Sequence, residues 1–162
     1  MPNVHIHDEP DRLVAAVKHS GAYSEIGGTM EKAGTLMASC RRFNDIAEVV
    51  GIYHDNPQHV AEAELRSHAG FTLKDGRHVP DGFEALHLDG GRYAVCRHVG
   101  AYAGLKETYN WLMNNWLPES AEEFGAGSVF EVYVNSPEDT PEEKLETLIY
   151  LPLEDEDFNG PV

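Results

Sequence analysis

Apolar and polar residues follow two different periods along this chain, and the two periods succeed each other twice in the same order. "RLVAAVKH" (12–19) and "GRYAVCRH" (91–98) are rich in β-branched and aromatic residues and read as strands. Each runs into a turn, "HSGAY" or "HVGAY", where glycine supplies conformational freedom. The period then lengthens to that of a helix. Ile26, Met30, Ala33, Met37 and Cys40 form one stripe; Leu105, Tyr109, Leu112, Met113 and Trp116 form the other. Gly27 and Gly28 weaken the first helix by about 1 kcal/mol each relative to alanine. Pro118 in "WLPES" is expected to stop the second. Each helix leads to a strand, "VGIYHDNP" (50–57) or "FEVYVNSP" (130–137), whose proline begins a turn. A further strand follows, "AELRSHAGFTL" or "LETLIYLPL".

The duplication extends to individual residues. Ala15/Ala94, His19/His98, Gly21/Gly100, Ala22/Ala101, Tyr23/Tyr102 and Thr29/Thr108 are identical at an offset of 79. Tyr53/Tyr133, Pro57/Pro137 and Leu65/Leu145 continue the match at 80. Two copies of one unit are expected, about 3–73 and 83–153, rather than a solenoid. The segment between them, "KDGRHVPDGFEALHLDGG" (74–91), carries turn signals around a strand, "FEALHL" (83–88), that leads into the second copy. The expected fold is α+β: a duplicated strand–helix–strand–strand unit forming a mainly antiparallel sheet of about eight strands, with two long helices and a pseudo-twofold axis. Residues 1–153 are read as one domain and 154–162 as an acidic tail. A cleft between similar halves is a common place for a small-molecule site. One pair breaks the pattern: Gly51 stands where the second copy has Glu131.

Charge narrows the partners. Acidic residues outnumber basic ones 28 to 12 in 162 residues, a net charge of −16. That opposes phosphate, so direct nucleic-acid binding is not expected. It favours cationic small molecules or basic protein surfaces. No run approaches the roughly 18–20 apolar residues of a membrane span, and "MPNVHIHDEPD" has no signal-peptide core, so a cytoplasmic location is expected. Cys40 and Cys96 are widely spaced and read as free thiols.

Motifs for chemistry are sparse. His5 and His7 share a strand face, but no third metal ligand stands at a recognisable spacing, and no cofactor is implied. His19 and His98, being copies of each other, are expected to bond locally within their turns. Tyr23 and Tyr102 are expected to have a structural role there. Neither cysteine has a demonstrable activator, and no catalytic residue is assigned.

The segments "HSGAYSEIG", "GIYHDNP…ELRSHAGF", "GGRYAVCRHVGAY", "LMNNWLPES" and "FEVYVNSPEDTPEEKLETLIYLPL", in this order over about residues 3–153, resemble the GyrI-like family. That family includes DNA gyrase inhibitory proteins and the effector-binding domains of AraC-type and multidrug-responsive regulators. No helix-turn-helix is legible here, so the resemblance implies a stand-alone ligand-binding module. It also implies that Glu131 lies in an aromatic pocket that receives cationic, amphipathic compounds, with Gly51 leaving room. Candidate walls are Tyr53, Phe71, Tyr102, Trp111, Trp116 and Tyr133. Strand parity leaves a second reading open: if the Phe130 face packs the helices, Glu131 points away from them and is an exposed strand residue. Three functions compete on this footing. The first is capture of amphipathic or cationic compounds. The second is inhibition of DNA gyrase, or action on another protein, by direct contact. The third is hydrolysis of strained toxins with Glu131 as general base.

Overall fold

A computed structural model describes residues 3–76 and 78–155. Eight strands form one antiparallel sheet: β1 (Asn3–Glu9), β2 (Arg12–Ser20), β3 (Ile46–Tyr53), β4 (Arg66–Leu73), β5 (Glu84–Leu88), β6 (Gly91–Val99), β7 (Val129–Tyr133) and β8 (Glu146–Pro152). Helix α1 (Ile26–Ser39) follows β2, and a second helical stretch follows β6. The architecture is the α+β duplication that the periodicity predicts. Of the expected acidic tail, Glu154 is tied through its N–H to the Glu123 carbonyl, and residues 156–162 lie outside the described residues. Among the described residues no helix is long and apolar enough to cross a membrane.

The strand order is β1-β6-β8-β7-β3-β4-β2-β5. It reads the same from either edge once the copies are equated. The first strand of each copy joins the other copy's strands: β1 pairs with β6, and β5 pairs with β2. The centre is the β3–β7 pair, where Gly51 faces Glu131 directly. Because these two are also repeat equivalents, the pseudo-twofold axis passes between them.

The two turns are built alike. Gly21 and Gly100 have φ of 101° and 129°, which only glycine adopts without strain. Their N–H groups donate to the carbonyls of Leu65 and Leu145. His19 donates from Nε2 to the Ala22 carbonyl and accepts from Thr29 at Nδ1 (2.9 and 2.8 Å); His98 does the same with Ala101 and Thr108 (3.0 and 2.8 Å). These local bonds are those the duplicated histidines predicted, and they fix where each helix starts.

Pro118 does not stop the second helical stretch. Leu105–Trp111 is α-helical (α2), Leu112–Trp116 widens to a π-helix, and Leu117–Ser120 resumes as a short helix (α3) with Pro118 in its first turn. The Leu117 N–H bonds the Leu112 carbonyl five residues back, and this wider turn accommodates the proline, which has no N–H to donate. The chain ends the helix at Ala121, at φ 63°.

Both helices pack on one face of the sheet. Ala33 and Met37 of α1 meet Ala15, Phe71 and Leu73. Leu112 meets Ala94, Cys96, Ile149 and Leu151. Val50, Ile52, Phe130 and Val132 point to the other face and cluster with Val14 from β2 and Tyr93 from β6, with no helical residue among them. That face is nevertheless fully buried at Val14, Val50 and Ile52, so the sheet curls over itself. Arg12 of β2 shows the curl directly. Its guanidinium lies 4.9 Å from the Phe130 ring centroid and 5.0 Å from that of Tyr150, two rings that stack 4.5 Å apart. The same group donates to Glu48 (3.1 and 3.2 Å) and to Glu9 (3.2 Å).

Candidate functional site

The premise of the exposed reading does not hold. The helices cover the Glu131 face, not the Phe130 face, because Phe130 and Val132 are absorbed by the curl. Glu131 is only 4% exposed. A carboxylate so placed costs several kcal/mol of desolvation unless it is hydrogen-bonded, and two tyrosines supply the bonds. Tyr133, two residues along the same strand, donates to Oε1 at 2.6 Å. Tyr109, from α2, donates to Oε2 at 2.6 Å. Tyr133 has spent its only proton, so the 2.7 Å contact between the Tyr53 and Tyr133 hydroxyls runs with Tyr53 as donor. The result is a one-way cascade, Tyr53 to Tyr133 to Glu131, met from the other side by Tyr109.

More aromatic edges extend this cluster. The Tyr23 ring packs edge-on against Tyr53 at 4.9 Å between centroids, and Tyr102 against Tyr133 at 5.8 Å. Tyr23/Tyr102 and Tyr53/Tyr133 are repeat pairs, so four tyrosines surround the axis symmetrically. Tyr23 also shares its hydroxyl proton between the backbone carbonyls of Asp55 and Arg66 (2.8 and 3.1 Å), the structural role its duplication suggested. Tyr102 is 38% exposed and presents its ring to solvent. Two further repeat partners, Ser67 and Thr147, hold fully buried hydroxyls with no hydrogen-bond partner among the described residues. They sit opposite Tyr53 and Tyr133 on the neighbouring strands.

Electrostatics follow the burial. Desolvation pushes the Glu131 carboxyl above its ordinary value, and the bonds from Tyr109 and Tyr133 pull it back only in part. Burial, then the charge of Glu131, holds Tyr109 and Tyr133 well above the usual phenol value, and Tyr53 likewise. Burial also pushes the Cys96 thiol up to about 11, which removes it as a thiolate nucleophile.

The predicted wall residues divide. Glu131, Tyr133, Tyr53 and Tyr102 come together at the axis. Phe71 lies in the cluster beneath α1. Trp111 and Trp116 pack on the α2 side, where with Asn115, Glu119 and Ser120 they line a separate cavity of about 350 Å³. Tyr109 is the residue the sequence reading missed: on a helix stripe it looked like packing. Its repeat mate is Met30, and that mismatch is the same kind of signal as Gly51 against Glu131. Replacing Tyr109 with phenylalanine leaves Oε2 buried without its donor. The expected loss is about 1–3 kcal/mol of folding stability at neutral pH by urea denaturation. Tyr53→Phe, which removes only the outermost donor, is expected to cost less.

A family model described as the GyrI-like small molecule binding domain matches residues 2–154. A probable transcriptional regulator, YgiV, of Escherichia coli strain K12 is 32% identical over 110 residues, covering 66% of this chain and 68% of its own. A DNA gyrase inhibitor of Erwinia billingiae is 28% identical over 122 residues, covering 73% and 77%. Two solved structures share the fold. The C-terminal domain of EcmrR superposes with a TM-score of 0.75 at 15% identity, over 95% of this chain and 98% of that one. SAV2435 bound to tetraphenylphosphonium superposes with a TM-score of 0.63 at 14% identity, over 96% and 94%.

Proposed function

The chain belongs to the GyrI-like small-molecule-binding family, and from that premise we propose that it captures lipophilic cations at the tyrosine cluster over Glu131. The observation that carries this reading is a single buried carboxylate on the pseudo-twofold axis, ringed by tyrosines. An incoming cation neutralises a charge that is costly to bury. Each aromatic face in reach adds about 0.5–2 kcal/mol of cation–π attraction. The tetraphenylphosphonium bound by SAV2435, a protein of the same fold, is a compound of this class. Phe71, Trp111 and Trp116 support the frame in this reading, while Tyr102, being exposed, forms the mouth.

The test is titration with tetraphenylphosphonium, followed by calorimetry and by thermal unfolding. At 100 times its dissociation constant the ligand stabilises the native state by about 2.7 kcal/mol. Glu131 is neutral below its raised pKa and charged above it, so affinity is expected to increase as pH rises through that value. Glu131→Gln should weaken binding by at least about tenfold, a loss of about 1.4 kcal/mol, and flatten the pH dependence. Unchanged affinity in Glu131→Gln would sink the reading.

The Erwinia relative suggests a second reading, contact with DNA gyrase, which a net charge of −16 suits if the partner surface is basic. That contact needs no open pocket and would survive Glu131→Gln.

A further inference from the structure

Away from the axis, on the sheet face opposite the helices, four polar side chains from four segments form an unbroken chain. Ser128 Oγ lies 2.7 Å from His54 Nδ1, His54 Nε2 lies 2.8 Å from His68 Nδ1, and His68 Nε2 lies 2.9 Å from Glu84 Oε1. With both imidazoles neutral, the direction of every bond is determined. An ionised carboxylate only accepts, so His68 carries its proton on Nε2 and accepts at Nδ1. His54 therefore carries its proton on Nε2 and is left with a bare Nδ1 facing the Ser128 hydroxyl. The chain delivers a free imidazole base to one serine, with a second imidazole and a carboxylate holding its tautomer.

The serine end opens into a cavity of about 390 Å³ that both Ser128 and His54 line. Leu86, Leu88 and Tyr93 give it an apolar wall; Asp89, Glu154 and Asp155 line it together with one cation, Arg92, which is itself paired with Glu122, so acidic groups predominate. Desolvation by burial lowers the His54 pKa, which keeps the ring in its basic form near neutrality.

We propose that Ser128 and His54 form a second, nucleophilic site that cleaves small uncharged or cationic esters. Ser128 Oγ bonds to the ester carbonyl carbon while its proton passes to His54 Nδ1. The bond to the alkoxy oxygen then breaks, and His54 returns the proton to the departing alcohol. Water, deprotonated by His54, releases the carboxylic acid and restores the serine. Anionic esters are disfavoured by the acidic surround. His68 and Glu84 are positioning residues.

The test uses the whole chain and two probes, diisopropyl fluorophosphate and p-nitrophenyl acetate. With the first, Ser128 Oγ bonds to phosphorus, fluoride leaves and the proton goes to His54. Intact mass should show one adduct, and peptide mapping should place it on Ser128. Ser128→Ala, with its urea midpoint shown to match wild type, should lose the adduct and at least about 100-fold of the ester hydrolysis. Glu84→Gln removes a charge that raises the His54 pKa, so the acidic limb of its pH–rate profile should move to lower pH. A role in folding alone would not move that limb. The proposal is overturned if folded wild type takes no adduct, if the adduct sits on a tyrosine, or if Ser128→Ala hydrolyses the acetate at the wild-type rate.

Discussion

Gly51→Ala is expected to lower folding stability by about 1–3 kcal/mol, the usual cost of forcing extra volume into a packed site. A Cβ at this position would lie 2.6 Å from the Tyr133 hydroxyl and 2.9 Å from that of Tyr53. Both oxygens stand at the ends of side chains that could swing aside elsewhere. Here they cannot move freely, because one bonds Glu131 and each bonds the other. Making room for a methyl therefore breaks part of the cascade that keeps the carboxylate satisfied. The restricted unfolded chain returns about 0.4–1 kcal/mol of this, which is why the net figure stays moderate. Gly51→Glu, which makes the repeat complete, is expected to cost more than about 4 kcal/mol. It adds a second carboxylate directly across the strand pair from the first, where the Tyr133 and Tyr53 hydroxyls already stand. Urea midpoints measure both. The mechanism has its own check: in a Tyr133→Phe background the nearest obstructing atom is gone, so Gly51→Ala should cost less there. A purely additive pair would contradict the steric account.

Arg12→Ala is expected to lose about 3 kcal/mol, near the bottom of the range for breaking a buried ion pair. The Arg12 side chain is 11% exposed and that of Glu9 12%, while Glu48 at 29% keeps some access to water. Removing the guanidinium leaves two partly buried carboxylates without their shared cation and uncovers the stacked Phe130 and Tyr150 rings. Arg12→Lys keeps the charge but not the planar fork that spans both Glu48 oxygens and lies over the rings, so it should recover only part of the loss. Because the group is largely shielded, the difference between wild type and Arg12→Ala should change little between 50 and 500 mM salt on the order-of-magnitude argument that buried pairs escape screening. A difference that disappears at high salt would place Arg12 on the surface instead.

The duplication was legible because identical residues such as His19/His98 and Tyr53/Tyr133 recur at a nearly constant offset, and the element types followed from their periods. What the sequence could not supply was the pairing of β3 with β7. Gly51 and Glu131 are visibly equivalent in the repeat, but nothing local says that they also face each other. Strand parity separated Phe130 from Glu131 correctly, yet it could not say which face the helices cover. A curled sheet buries both faces, and the apolar run around Phe130 served the curl. Tyr109 was hidden for another reason: a tyrosine on a helix stripe looks the same whether its hydroxyl ends in solvent or on a carboxylate. The Ser128–His54–His68–Glu84 chain was the least legible of all. His54 and Ser128 come from the loops that follow β3 and precede β7, His68 and Glu84 from β4 and β5, and only the folded sheet makes them neighbours.

The reciprocal exchange of first strands gives the architecture of a swapped dimer drawn within one polypeptide. If the two units were separate but identical chains, every residue on the twofold axis would occur twice, face to face. A carboxylate there would meet its own copy, and the pair could not both be ionised in so dry a place. Covalent fusion removes that obligation, since the two axial positions can be altered one at a time. A site carrying one unpaired charge at the centre of a symmetric shell is therefore open to the fused chain and closed to its homodimeric equivalent.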